Sequence, residues 1–208
     1  AVLVLGLAVP LPVAAFAGAL LALLATLALA GAGGRLTATR AVLARVAVGQ
    51  ACGALVSFII FSTARGDSYR DILGWLLGTF GAARWSSVAI AGVALLLLGG
   101  VLLGFARTLD AFAFGDAAAT ALGVPVARTR WLLLGLSALL TGALVSVSGA
   151  IGFVGLTVPH VVRMLLGPER AGNAAVARTS AAVGGLFLLW ADTIARTVFA
   201  PMDVPVGV

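Results

Sequence analysis

From Val13 to Ala30 the chain reads VAAFAGALLALLATLALA, with Thr26 as its one polar side chain. An α-helix needs about 20 apolar residues to cross a hydrocarbon layer of roughly 30 Å, so this run is long enough to span a membrane. Runs of similar character recur at residues 41–61, 88–105, 131–147 and 179–198. Lipid offers no hydrogen-bond partners, so a spanning segment must satisfy its own backbone, which leaves helices and closed barrels. The alternating polarity of barrel strands is absent from these runs, and helices remain. Hydrophobic residues make up 62% of the chain and charged ones 10%, too little polar surface to coat a soluble globule. The expected fold is an all-α, polytopic transmembrane helical bundle, with residues 1–208 as a single transmembrane domain.

The remaining segments are shorter or more polar. Residues 1–9 read as the end of a helix. Residues 31–40 (GAGGRLTATR) form a loop rich in breakers, and residues 62–71 (STARGDSYRD) a polar connection. Residues 72–80 are apolar but about half a span long, which predicts a re-entrant or interfacial helix. Residues 106–130 form a longer mixed segment, and residues 153–166 a short helix broken by Pro159.

All 13 basic residues are arginine, and the net charge is +6. The arginines stand at the ends of apolar runs rather than along one face, so they read as topology determinants and not as a nucleic-acid footprint. If loops alternate across the membrane and the half-length segment returns to its own side, one side collects Arg35, Arg40, Arg45, Arg107, Arg128, Arg130, Arg163, Arg170 and Arg178. The other keeps Arg65, Arg70, Arg84 and Arg196. The richer side is expected to be cytoplasmic. Cys52 is a lone cysteine within an apolar run, read as a small hydrophobe. No Walker A loop, HExxH, CxxC or GxSxG motif occurs, and one histidine without lysine leaves little for acid–base chemistry. No catalytic and no metal-binding residues are assigned.

Three passages carry more information. In SGAIGFVGLTVPHVVRMLLGPER, Gly149 and Gly152 flank an uncharged turn after which Phe153 leads into the short helix. Pro159 lacks an N–H and strains the preceding turn, Gly155 can accommodate the bend, and His160 and Arg163 share a helix face. A kinked structural helix with an anchoring arginine is one reading; a functional site is the other, since ionisable groups at membrane depth are seldom idle. In LDAFAFGDAAATALGVPVARTR, residues 116–123 predict a short cytoplasmic helix with Asp116 at its start, Gly123 past its end and Pro125 stopping it. Such a helix suits docking to a soluble partner, or lies on the membrane as a compact loop. In WADTIARTVFAPMDVPVGV, Asp192 and Arg196 share a face and are spaced to pair; Arg196 is also the strong positive charge of that outer segment, open to an acidic partner.

These passages resemble the FecCD-type permease subunits of ABC importers for iron-siderophores, haem and vitamin B12. The resemblance lies in SGAIGFVGLTVPHVVRMLLG, FGDAAATALGV and ADTIAR with DVPVG, together with WLLGTFGAARW after the half-length helix. It covers essentially the whole chain in order. It implies a ten-helix permease with a re-entrant helix and short cytoplasmic coupling helices, working as a homodimer or a pair of like halves. It also implies cytoplasmic ABC ATPase subunits, an extracytoplasmic substrate-binding protein, and a place in the plasma (inner) membrane of a bacterium. ATP and Mg belong to the partner ATPase, so this chain needs no cofactor and is not itself an enzyme.

On the same resemblance, Gly115, Asp116, Ala117, Leu122 and Gly123 match the ATPase-coupling segment. Arg196 matches an outer arginine that docks the binding protein. Residues 41–61 match the helix lining the pathway, and Gly149, Gly152, Phe153, Gly155, Pro159, His160 and Arg163 match a gating or structural motif. The family's Arg-x-Pro-Arg and Asn-Pro-Leu-Ala signatures and its final helix are absent, so these residues are expected to be part of a longer permease. Arg45 replaces a usual glycine and Asp203 a usual glutamate. The implied function is transport by alternating access, driven by ATP on the partner. The alternative is a secondary transporter driven by an ion gradient, which wants polar groups near mid-membrane; a membrane-embedded enzyme would want clustered His, Asp or Glu.

Overall fold

Long apolar runs broken by glycine, proline and arginine dictate the element boundaries. The computed structural model describes residues 11–31, 38–63, 74–81, 83–167, 172–198 and 206. The expected helix end at 1–9, the loop residues 32–37, the polar residues 64–71, and Ile72, Arg170 and Asp203 lie outside the described residues. Among the described residues every regular element is helical. They are α1 (Leu11–Gly31), α2 (Ala38–Thr63), α3 (Trp85–Gly104), α4 (Ala106–Ala113), α5 (Asp116–Ala121), α6 (Val126–Ser148), α7 (Val154–Leu166) and α8 (Asn173–Val198). A single helical turn at 74–77 precedes α3. Within α3 the residues Leu95–Gly99 widen into a π-helical turn.

Five helices, α1, α2, α3, α6 and α8, are long and apolar enough to cross a membrane. They fall on the five runs read from the sequence, with most ends shifted by a few residues, three of them for a visible reason. Ser62 and Thr63 close α2 instead of opening a loop, because the Ser62 hydroxyl donates to the Ile59 carbonyl at 3.2 Å. α6 starts at Val126 and takes in Arg128 and Arg130, since Pro125 caps the start of this helix rather than only ending the one before. α8 starts at Asn173, ahead of the apolar stretch.

Two larger differences concern the informative passages. The mixed segment 106–130 holds two helices before α6, of which α4 was not expected. Pro159 does not break α7, which runs on from Val154 to Leu166 with the proline inside. A proline ring crowds the carbonyl four residues earlier; here that residue is Gly155, and the helix holds its form on both sides of the proline.

α1 packs on α2 and α6, α3 on α6, and α7 on α8, while α4 and α5 join the beginnings of α6 and α8. The contacts rest on small residues. A Cβ on Gly142 of α6 would stand 3.1 Å from the Ala19 Cβ and 3.6 Å from the Phe16 ring, so the glycine lets two backbones approach. The buried apolar residues are likewise mostly small: Ala30, Ala44, Ala106, Ala119 and Ala195, beside Leu133, Val162 and Val176. Large side chains such as Leu21, Phe58, Leu96 and Trp190 point outward. That inversion is ruinous in water and costs little where the surroundings are hydrocarbon.

α7 is half a span. Its 13 residues rise about 20 Å, against about 39 Å for the 26 residues of α8. Val154 and Val158 pack against Gly184, in the middle of α8. Residues 149–153 therefore descend from the end of α6 into the bundle as irregular chain.

Candidate functional site

Gly115 turns the chain from α4 into α5 with φ 94° and ψ 165°, a conformation that a side chain would exclude. Asp116 is the first helical residue rather than the cap, and its carboxylate suits a helix N-terminus. The carboxylate accepts a hydrogen bond from Arg130 Nη2 at 2.7 Å across the turn into α6. The Arg130 guanidinium also lies 5.8 Å from the centre of the Phe112 ring, within cation–π range. Gly123 closes α5, donating to the Thr120 carbonyl at 2.9 Å, while Val124 donates to Ala119 at 3.0 Å. α4, α5 and the start of α6 thus form one block held by Arg130.

α5 turns Ala119, fully buried, toward the bundle. Gly115, Asp116, Ala117, Leu122 and Gly123 all face outward. Phe114 is 81% and Leu122 71% exposed, two large apolar side chains flanking a charged pair.

A second polar group ties this block to α7 and α8. Asp110 Oδ1 accepts from the backbone N–H of Asn173 at 2.8 Å and from its side-chain Nδ2 at 2.7 Å. Asn173 Oδ1 accepts from Arg163 Nη2 at 2.7 Å. Arg163 stands in the last turn of α7, so it is bonded to the start of α8 instead of reaching away alone. Next to this group, α3 with its π-helical turn, α4, α6 and α8 line an apolar groove of about 590 Å³.

The other end of α7 is built from backbone. Gly149 has φ 73°, and a Cβ there would land on the Trp75 carbonyl oxygen. Gly78 has φ 74°, and a Cβ there would meet Ile151 Cγ1 at 2.8 Å and the Ala150 carbonyl oxygen at 3.0 Å. The Thr79 N–H donates to the Ser148 carbonyl at 2.9 Å. The turn at 74–77 is thereby joined to the end of α6, and the Trp75 indole N–H is buried there without a partner among the described residues. Gly152 and Gly155 are exposed, and Phe153 is exposed with φ 61°, the one non-glycine residue among those described with positive φ. Its carbonyl accepts from Thr157 at 2.8 Å and so starts α7. Pro159 is half-buried; His160 is exposed. The motif's residues share one helix and the loop before it; His160 and Arg163 stand three residues apart on α7, and the Arg163 guanidinium donates to Asn173.

On α8, Arg196 Nε donates to Asp192 Oδ2 at 2.8 Å, with the two side chains partly exposed. The spacing allowed this pairing, and the structure makes it. Among the described residues no three His, Cys, Asp or Glu side chains gather as a metal site would require.

Sequence reading missed Asp110, Asn173, Trp75 and Gly78. For Asp110 and Asn173 a signal existed: each is a polar residue at the edge of an apolar stretch, and Asn is a residue type that favours helix starts. Trp75 and Gly78 lie in WLLGTFGAARW, which the resemblance marked without a role, since their role is set by a close approach to residues far along the chain.

Residues 1–208 match the model of the FecCD transport family. The chain is 40% identical over 195 residues to the cobalamin import system permease protein BtuC of Halobacterium salinarum, covering 94% of this chain and 51% of that protein. It is 41% identical over 171 residues to the hemin transport system permease protein HmuU of Yersinia pestis, covering 81% and 49%. The Fe(3+) dicitrate transport system permease protein FecD of Escherichia coli is 37% identical over 163 residues, covering 78% and 50%. The chain spans about half the length of these relatives. A solved inward-facing metal-chelate type ABC transporter superposes with a TM-score of 0.78 at 26% identity, over 95% of this chain and 66% of that one.

Proposed function

The chain belongs to the FecCD transport family, and on that premise we propose that it is the transmembrane permease part of an ATP-driven importer in a bacterial plasma membrane. Its cargo is a bulky chelate of the iron-siderophore, haem or cobalamin kind. The three relatives are named for different cargoes at 37–41% identity to this chain, which favours a shared transport machine whose choice of cargo is made elsewhere, on an extracytoplasmic binding protein.

The observation that carries the reading is the block around α5. It offers two exposed apolar side chains, Phe114 and Leu122, flanking a short helix braced by Asp116 and Arg130. Arg107, Arg128, Arg130, Arg163 and Arg178 belong to the same end of the bundle, which the positive-inside rule assigns to the cytoplasm. A rigid apolar stub there is what a soluble ATPase grips. ATP binding then biases the bundle between outward- and inward-open states in proportion to its differential affinity for them. A binding protein docks on the opposite face, where Arg196 gives up Asp192 for the partner's carboxylate. Such charge pairing sets encounter rate and register more than affinity.

The full permease, reconstituted with its ATPase and binding protein, tests this. Leu122→Arg is expected to abolish ATP-driven uptake while the permease still folds. Arg196→Glu is expected to weaken binding-protein docking at low ionic strength. Uptake that persists without ATP and collapses with the proton gradient would move the chain to the ion-driven class. Against that class, the three described carboxylates, Asp110, Asp116 and Asp192, are each bonded to another side chain.

A further inference from the structure

The contacts of Asn173 differ from those of an ordinary helix start. Helix N-termini leave N–H groups unsatisfied, and here the first one, on Asn173, is taken by a carboxylate from another helix, Asp110 of α4. The same oxygen holds the Asn173 amide nitrogen, and the amide oxygen holds Arg163. A carboxylate only accepts and a guanidinium only donates, so the orientation of the amide is dictated from both sides. Asp110 at the start of α8 and Arg163 in the last turn of α7 each complement the dipole of the helix they touch. The result is a continuous hydrogen-bonded route from α4 through Asn173 to α7.

What lies at either end of the route gives it a use. On one side, α4 is fixed to α5 and α6 through Arg130. On the other, α7 carries Pro159 between Arg163 and its beginning, and proline removes a backbone hydrogen bond and lets a helix flex. The beginning of α7 is pinned: Val154 and Val158 sit on Gly184, and residues 149–151 sit on the 74–78 turn. Pro159 is thus the place in α7 where a displacement of Arg163, with the buried Val162 beside it, can be taken up as a bend.

Resting on the importer reading above, we infer that Asp110 and Asn173 are positioning residues that carry displacement of the α4–α5 block into α7 through Arg163. A cap that merely stabilises α8 requires only the bond from Asp110 to the backbone N–H of residue 173. Transmission requires the Asn173 side chain as well. Asn173→Ala separates the two roles, because it keeps the backbone bond and severs the link to Arg163.

The test uses the full-length permease with its ATPase and binding protein in liposomes, reading cargo uptake per ATP hydrolysed together with the thermal midpoint of the permease. Asn173→Ala is expected to leave hydrolysis and the midpoint near those of the unmodified protein and to lower uptake per ATP roughly tenfold. The double variant Asp110→Asn with Asn173→Asp moves the carboxylate one step along the route, directly onto Arg163, and keeps an acceptor for the residue-173 N–H. It is expected to restore uptake per ATP to within about threefold. The inference is overturned if Asn173→Ala couples like the unmodified protein, if hydrolysis and uptake fall in proportion, or if the double variant is no better than Asn173→Ala. If the unmodified assembly itself shows no ATP-driven uptake, the importer reading fails and this inference with it, a result visible before any variant is made.

Discussion

At the beginning of α7, Gly149 and Gly78 bring two stretches of backbone into contact, and among the described residues no charged side chain is among the atoms that meet there. At its end, Asp110, Asn173 and Arg163 meet through side chains, with the Asp116–Arg130 pair one helix away. Both junctions tie α7 to its surroundings, but they resist different things. A backbone crossing at van der Waals distance has no room to slide and no substitute partner. A chain of polar side chains can lengthen, exchange with water and re-form, since each hydrogen bond contributes only about 0.5–1.5 kcal/mol net. The contrast assigns the fixed point of α7 to the glycine crossing and its moving end to the polar group.

The sharpest way to break that assignment is Gly149→Ala. The methyl would occupy the place of the Trp75 carbonyl oxygen, in a backbone conformation that side chains seldom adopt. Overpacking and left-handed strain together are expected to cost on the order of 2–4 kcal/mol, read as a large drop in the thermal midpoint in detergent. Gly152→Ala, with open space around it and ordinary φ, is the control and should fall within about 0.5 kcal/mol of the original. Equal effects at the two glycines would dissolve the fixed point. Gly78→Ala should lie between them, because part of what its methyl meets is the movable Ile151 side chain.

At the polar end the expected effects are smaller. Arg130→Ala removes the bond to Asp116 and the cover over Phe112, both on partly exposed side chains. Screening by solvent holds the loss of stability to about 0.5–1 kcal/mol, and it should shrink further in high salt. The functional loss should exceed the loss of stability, since α4 and α5 would no longer move as one. A stability loss matching that of Gly149→Ala would show that the two junctions are not different in kind.

The same contrast explains what could be read from the chain without coordinates. The five spans were legible because each is a long run with one local cause, hydrophobicity, and their ends moved by a few residues where Ser62, Pro125 or Asn173 prolonged a helix. α5 was legible from Asp116, Gly123 and Pro125, which act on their own neighbourhood. α4 was not, because Arg107 and Asp110 interrupt its apolar pattern, and the partner of Asp110 is on α8, far along the chain. Pro159 read as a break because a proline usually is one, while the turns before and after it are helical and the helix packs on α8. The glycine crossing is a matter of residues 75–78 meeting 148–151, and nothing near either stretch announces the other. The motif after Gly149 was recognisable as a pattern, while its partners were not.

The last and smallest effect concerns the far end of α8, where Asp192 and Arg196 pair one turn apart. Acid before base at this spacing is the favourable order, worth about 0.3–0.5 kcal/mol on an exposed helix. Asp192→Asn should therefore change stability by less than about 0.5 kcal/mol. If Arg196 serves a docking partner, the internal pair competes with that partner, and its removal should raise the association rate of the binding protein at low salt, with the gain fading as salt rises. If the pair is only a helix brace, the rate should not change. The two junctions of α7 are tested by breaking contacts; this one is tested by releasing a charge, and a faster encounter after losing a stabilising pair is an outcome that a purely structural role cannot produce.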